Sequence, residues 1–196
     1  MKHPIVLFVP VLMLCDYFLT IAGYILRERS YGKHFKTEQY ELNPYFQSDV
    51  NNKKWFNIRH LIWVIIGTLG FIFFIQLPEN FVSTGGKMYL LGMFIVTYSM
   101  VTARHLSNIL LFLYSIKHPG ELSGEVHMSY RFGLRLSQCN FLTYLFPLLI
   151  VAVYIRHPFL TGGLVGIVIL WLVHSVWLGI DKRRISRLSQ QEKDEA

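Results

Sequence analysis

The chain has 196 residues, of which 53% are hydrophobic, 15% are aromatic and only 16% are charged. Soluble globular domains carry about 25% charged residues, so this composition excludes an ordinary soluble globule and predicts an integral membrane protein. The formal net charge of +7 does not indicate a nucleic-acid partner, because the sequence has no segment of interleaved basic and aromatic residues typical of a nucleic-acid-binding face.

The apolar residues fall into five blocks, each long enough for a hydrocarbon core of about 30 Å, which needs roughly 20 helical residues. The blocks cover residues 4–26, 57–77, 88–116, 136–155 and 159–180. We therefore predict an all-α polytopic membrane helix bundle, a single domain with about five transmembrane helices. Gly67 and Gly70 in the second block, and Gly162, Gly163 and Gly166 in the last, predict close contacts with neighbouring helices. Alternatively, the first block is a signal peptide cleaved after Ala22, although Asp16 would interrupt its apolar core.

The distribution of basic residues predicts the orientation. Most of the 19 Lys and Arg residues fall in the connections 27–56 and 117–135 and in the tail 181–196, whereas the opposite side carries only Lys2, Lys87 and Arg156. The positive-inside rule then places the amino terminus outside and the tail in the cytoplasm. We expect a multi-pass protein of a prokaryotic inner (cytoplasmic) membrane, with anionic lipids at the basic loops. A homo-oligomer is expected because five short helices bury little of their own surface.

The first connection, residues 27–56, is rich in aromatic residues, which predicts an ordered segment at the membrane interface. Within it, Asn43-Pro44 predicts a helix start, with Asn43 as the N-cap and Pro44 at the first helical position.

The second long connection, residues 117–135, alternates apolar and polar residues from Val126 to Leu136, which is typical of a strand. A lone strand beside a membrane would have an open edge and no partner, so we predict an interfacial helix that runs into the fourth span. Four polar side chains of this connection could form a metal cluster, namely His118, Glu121, Glu125 and His127. Polar residues in such a loop are usually solvated. We predict no metal and no cofactor.

Two ionisable residues lie inside the predicted spans, where insertion costs about 2.5 to 3.5 kcal/mol each. Asp16 in the first span and Arg104 in the third both fall near the membrane midplane, so we predict that they form an ion pair. Thr20 lies one helical turn after Asp16. The predicted ligand-binding or ion-binding residues of these two spans are Asp16, Thr20, Arg104, His105 and Asn108.

Supporting polar residues occur at comparable depths in the other spans, namely His60, Asn140 and His174. They predict a hydrated vestibule open to the cytoplasm, with Asp16 and Arg104 at its floor. The alternative is structural, because a buried Asp–Arg pair can fix helix register and single polar residues often form hydrogen bonds between helices.

The pattern Asp16-x-x-x-Thr20 followed by Glu41-x-Asn43-Pro44 resembles an uncharacterised group of small bacterial and archaeal membrane proteins that share D-x-x-x-T … E-x-N-P. The match covers the first quarter of the chain, and the group has no established activity. The resemblance implies that Asp16, Thr20, Glu41 and Asn43 act as one constellation. The long basic insert between the two halves leaves open whether Glu41 reaches the membrane.

The function we expect is that of an ion or small polar solute binding or permeation module. One alternative is a membrane-embedded enzyme acting on a lipid or peptide, with Glu41, His105 and Asp16 in acid–base roles. Another is a membrane scaffold or accessory subunit. The sequence contains no G-x-S-x-G, H-E-x-x-H or Walker motif.

Overall fold

The computed structural model describes the backbone of residues 4–194 and the side chains of residues 5–184, and the chain is 79% helical. The seven α-helices of this part of the chain are α1 (Phe8–Arg29), α2 (Tyr31–His34), α3 (Gln47–Asn51), α4 (Ile58–Gln76), α5 (Thr84–Lys117), α6 (Tyr130–Ile155) and α7 (Pro158–Asp194). Short 3-10 turns cover Pro4–Leu7 and Pro119–Glu121, and two strands are β1 (Phe35–Thr37) and β2 (Val126–Met128).

Side-chain caps set the start of three long helices. Asn57 accepts a hydrogen bond from the backbone N–H of His60 at α4, Ser83 caps α5, and Ser129 caps α6. Each cap satisfies a backbone donor that the first helical turn leaves free. Between α6 and α7, Arg156 adopts a left-handed conformation with φ of 52°, which ends α6 and allows the tight turn into α7.

Four helices are long and apolar enough to cross a membrane, namely Ile5–Arg29, Ile58–Gln76, Tyr130–Ile155 and Pro158–Arg184. This supports a multi-pass membrane protein. The 34-residue helix α5 is not among these four. The fifth span, the orientation and the homo-oligomer therefore stay predictions.

The central helix is α5, which packs against α1 and, most extensively, against α7. A Cβ atom on Gly92 would lie 1.8 Å from the carbonyl oxygen of Phe159, and one on Gly166 would lie 2.2 Å from Thr97 Oγ1. Helix backbones approach this closely only where a side chain is missing. The close contact predicted at Gly162 and Gly166 is confirmed, and it holds one face of α5 against α7. The contact predicted at Gly67 and Gly70 is not close, because a Cβ atom on Gly67 would meet only Met13, with Sδ at 3.5 Å, and one on Gly70 no heavy atom within 4 Å.

The predicted interfacial helix over residues 117–135 is wrong before Tyr130, whereas from Tyr130 onward α6 does run into the predicted fourth span. The earlier part of the segment contains β2, which pairs in parallel with β1 of the first connection. The pairing continues beyond the strands, because the Glu38 N–H donates to the Met128 carbonyl oxygen at 3.2 Å and the Tyr130 N–H donates to Glu38 Oε2 at 2.8 Å. The objection that a lone strand has no partner fails because a distant connection supplies one.

The predicted helix start at Asn43-Pro44 is displaced by three residues, since α3 begins at Gln47 with Phe46 at the N-cap position. Asn43 Oδ1 instead accepts a hydrogen bond from the Tyr45 N–H at 3.1 Å, and the Asn43 carbonyl accepts one from the Phe46 N–H. Asn43 therefore stabilises a turn that leads into α3, a role that asparagine side chains commonly have.

Candidate functional site

An acid–histidine contact joins α1 to α5. Asp16 Oδ1 lies 3.0 Å from His105 Nε2, and Thr20 Oγ1 lies 3.2 Å from the same nitrogen. The Thr20 hydroxyl also donates to the Asp16 backbone carbonyl at 2.8 Å. Residues four apart share one helix face, which brings Asp16 and Thr20 together against His105, whose exposed fraction is only 9%.

The predicted Asp16–Arg104 ion pair does not form. Arg104 Nη1 instead donates to Ser137 Oγ on α6 at 2.5 Å, and its guanidinium lies 5.6 Å from the ring centroid of Phe141. The physical reason is angular, because successive helical residues point about 100° apart. At the depth of Asp16, α5 directs His105 toward α1 and Arg104 toward α6.

Glu41 reaches this region from the first connection. The charges of Asp16, His105 and Arg104 all act on its carboxyl group. Burial raises the pKa of Glu41 to about 7, opposed by the hydrogen bond from the Asn43 backbone N–H and increased by the charge of Asp16. That hydrogen bond is 2.6 Å long. We use the term polar cluster for Asp16, Thr20, Glu41, Arg104 and His105.

The segment around Glu41 is held by contacts with two helices, α1 and α6. The Tyr40 ring lies 5.6 Å from the Tyr24 ring of α1, and Tyr130 of α6 donates its hydroxyl to the Leu42 carbonyl at 2.8 Å. A Cβ atom on Gly23 would lie 2.5 Å from the Tyr40 hydroxyl oxygen, so the missing side chain makes room for the tyrosine. Tyr40 is not among the predicted site residues, although its place directly before Glu41 is a signal for it.

Two buried polar atoms beside the polar cluster have no hydrogen-bond partner among the described residues, namely His105 Nδ1 and the Tyr40 hydroxyl. An unsatisfied buried polar atom costs about 1 to 3 kcal/mol, and such atoms in a folded protein call for a physical reason. Both atoms are therefore candidate contacts for a small polar ligand at this site.

A second group of polar side chains ties α6 to α7. His174 Nε2 lies 3.5 Å from Ser137 Oγ, and His174 Nδ1 lies 2.9 Å from the Leu170 carbonyl oxygen. Next to it, Gln138 Nε2 donates to Ser175 Oγ at 2.7 Å. The role of His174 is thus an interhelical contact, in agreement with the structural alternative.

The other predicted polar residues lie outside the polar cluster. His60 stacks on Tyr17 with ring centroids 4.4 Å apart, and its Nε2 lies 3.2 Å from the Met13 carbonyl oxygen. Asn108 and Asn140 are half-buried, and neither side chain forms a hydrogen bond within the described part of the chain.

Two cavities lie between α6 and α7, and neither is lined by a residue of the polar cluster. Neither of them is therefore the predicted vestibule. The polar side chains instead form two buried groups, with Arg104 between them. The described residues also contain no group of three His, Cys, Asp or Glu side chains placed to hold a metal ion.

Four apolar helices and a buried acid–histidine cluster define the class, a multi-pass membrane protein with ionisable groups in its interior. No protein-family model, no curated protein and no solved structure matches the chain. The resemblance in the first quarter therefore stays a prediction. Its four residues nevertheless interact in this fold, since Asp16 and Thr20 share His105, and Asn43 binds the Glu41 carboxylate.

Proposed function

We propose that this multi-pass membrane protein binds an ion or a small polar solute at the polar cluster, and that a proton is taken up and released there. The observation that carries the proposal is that Asp16 contacts the buried imidazole of His105 at 3.0 Å, while the charges of both residues act on the Glu41 carboxyl. Burial raises the pKa of Glu41, and repulsion by the Asp16 carboxylate adds to the rise, so Glu41 keeps its proton at a higher pH than usual.

The charge balance of the polar cluster links proton binding to ligand binding. With Glu41 ionised, the two carboxylates face His105 and Arg104; with Glu41 protonated, one negative charge fewer is present. A cation that binds beside Asp16 stabilises the ionised form of Glu41 and expels its proton. Ligand binding should therefore release a proton near neutral pH.

The geometry argues against a nucleophilic enzyme. In a hydroxyl–histidine–carboxylate relay the two side chains occupy opposite ring nitrogens, so that the histidine can pass a proton between them. Here Thr20 Oγ1 and Asp16 Oδ1 both approach Nε2 of His105. Thr20 is therefore not placed as an activated nucleophile, which argues against a Thr20–His105–Asp16 relay.

Infrared titration of the detergent-solubilised protein tests the proton site. The absorption of a protonated carboxyl group should disappear around pH 7 in the unmodified chain and be missing in Glu41→Gln. The matched control is Glu79→Gln, which removes an exposed carboxyl and should leave that transition unchanged. A transition that survives Glu41→Gln contradicts the proposal.

Proteoliposomes separate binding from permeation. If the cluster lies on a permeation path, cation or proton flux through the reconstituted protein should fall in Asp16→Asn while the helix content stays unchanged. If flux never exceeds that of empty liposomes but the infrared transition at Glu41 is present, the protein binds without conducting.

Cysteine labelling tests the predicted orientation. Thr161 and Lys33 are both exposed and lie on opposite sides of the membrane in the predicted topology. With Cys15 and Cys139 replaced by alanine, an impermeant thiol reagent should label Thr161→Cys in intact cells and Lys33→Cys only after lysis. The reverse pattern would invert the topology.

A further inference from the structure

Two cavities lie along the contact between α6 and α7. One has a volume of about 510 Å³ and is bordered by basic residues, with Arg131, Arg135, Ser175, Gly179 and Lys182 in its lining. The other has a volume of about 150 Å³, and its entire lining is apolar: Phe141, Leu142, Leu145, Ile167, Val168 and Trp171.

The two cavities follow one seam. On each helix, residues three or four positions apart connect the basic cavity to the apolar one, as residues on a common helix face do. On α6 these positions are Arg131, Arg135, Gln138, Leu142 and Leu145, and on α7 they are Lys182, Leu178, Ser175, Trp171 and Val168. The cavities are about ten residues apart on both antiparallel helices, which is roughly 15 Å at 1.5 Å per residue.

Gln138 lies between the two cavities along the seam and lines neither of them. Its exposed fraction is 3%, and its side-chain Nε2 donates to Ser175 Oγ at 2.7 Å and to the Trp171 carbonyl at 3.1 Å. These contacts hold α6 and α7 together between the two cavities. We use the term groove for the seam as a whole, which has the basic cavity at one end and the apolar cavity at the other.

The basic end keeps a positive charge that the protein does not neutralise. Arg131 pairs with Asp181 at 2.7 Å, whereas Arg135 and Lys182 are exposed and neither pairs with a carboxylate among the described side chains. Arginine and lysine side chains are the usual partners of phosphate groups. This end also lies where α6 and α7 change from apolar to basic sequence, the level of lipid headgroups.

We propose that this groove binds one anionic phospholipid, with the headgroup phosphate at Arg135 and Lys182 and an acyl chain along the seam to Val168 and Trp171. A free phosphate ion would use only the basic cavity, and a neutral lipid only the apolar one. The combination of both ends on one helix pair selects an anionic lipid. The site is separate from the polar cluster and does not depend on its proposed function.

Native mass spectrometry of the purified protein in detergent tests the site, with phosphatidylglycerol and phosphatidylcholine of identical acyl chains as probes. We expect phosphatidylglycerol to bind roughly tenfold to thirtyfold more tightly, the ratio given by about two basic side chains near a membrane surface. The double variant Arg135→Gln/Lys182→Gln should lose this preference. Lys33→Gln/Lys117→Gln removes the same charge from exposed positions and should keep it.

A second variant blocks the headgroup position without changing charge. A Cβ atom on Gly179 meets no heavy atom within 4 Å, so Gly179→Leu should fold normally and project into the basic cavity. It should weaken phosphatidylglycerol binding about tenfold, as roughly 1.4 kcal/mol of lost binding would do.

The lipid and free phosphate are distinguished by competition. Glycerol 3-phosphate should fail to displace phosphatidylglycerol, because it cannot occupy the apolar cavity. Full displacement at similar concentration would mean a phosphate site without an acyl-chain groove and would overturn the proposal. Equal binding of the two phospholipids, or an equal loss of preference in the Lys33/Lys117 control, would also overturn it.

Discussion

Replacing Glu41 by glutamine removes a carboxyl group whose pKa is raised well above its usual value by burial. Burial of Glu41 raises the pKa of its carboxyl from 4.5 to about 7. A raised carboxyl pKa means that ionisation is more costly in the folded chain than in the unfolded one. Glutamine has a similar shape and its amide oxygen can still accept the hydrogen bond from the Asn43 N–H, so the substitution isolates the effect of the charge.

The sign and size of the effect follow from proton linkage. Between pH 4.5 and 7 the folded protein binds more protons at Glu41 than the unfolded protein does, so the free energy of unfolding falls as the pH rises through this window and is level above it. The pKa difference corresponds to about 3 kcal/mol at 1.36 kcal/mol per pH unit. Because Glu41 is half-buried, solvent screening reduces the expected value to between about 1 and 3 kcal/mol.

The assay is unfolding by sodium dodecyl sulfate in mixed micelles, followed by circular dichroism at pH 5 and pH 8. Glu41→Gln should have nearly the stability of the unmodified protein at pH 5 and exceed it at pH 8, which flattens the pH dependence. Glu79→Gln should retain the pH dependence of the unmodified protein. An unchanged slope in Glu41→Gln, or a variant that is less stable at pH 8, would show that the carboxylate is ionised without penalty and would refute the reasoning.

Two further predictions concern the packing of α5. Gly166→Ala should lower the free energy of unfolding by about 1 to 3 kcal/mol in thermal unfolding, because its Cβ would overlap α5. The control Gly179→Ala should change it by less than about 0.5 kcal/mol or raise it slightly. Similar losses in the two variants would mean that the helices are not in close contact at Gly166. A double-mutant cycle between Asp16→Asn and His105→Gln should give a coupling energy of about 0.5 to 3 kcal/mol. The cycle between Asp16→Asn and Arg104→Gln should give a smaller coupling energy. A larger coupling energy with Arg104 would support the predicted Asp16–Arg104 ion pair instead.

The helices of this chain could be predicted because the signal is long and repeated. An apolar block of roughly 20 residues has few stable forms other than a membrane helix, and α4 (Ile58–Gln76) agrees with the predicted span to within a residue at each end. The small residues at Gly162 and Gly166 likewise have one common use between helices. The partner on α5, Gly92, carried no comparable signal because it stands alone.

The partner of Asp16 could not be obtained from depth alone. Arg104 and His105 lie at nearly the same height in the bundle, and the direction in which each points depends on how α5 is rotated against α1 and α6. Because Arg104 carries a full positive charge, electrostatics favours it over His105 as the predicted partner of Asp16. Rotation of a helix is set by close packing, here by glycine contacts with α7, which the position of a charge in the sequence does not encode.

The β1–β2 pair escaped prediction for a different reason. Each strand has three residues, and the paired residues Phe35 and Val126 are separated by two long helices. A strand of only three residues has little recognisable sequence pattern. A single sequence also does not show which of two such distant segments pair with each other. The insertion of Glu41 into the bundle follows from this pair and from the contacts of Tyr40, so it was equally hidden.

The same strand pair has a consequence for how the protein is made. A membrane protein enters the bilayer one segment at a time as the ribosome extends it, and β1 leaves the ribosome long before β2 exists. Until residue Met128 has been synthesised, the segment that carries Glu41 lacks the partner that docks it, and a buried carboxyl site cannot be complete. Ribosome-stalled chains that end before β2 should therefore leave the first connection open to protease, and chains that extend beyond α6 should protect it.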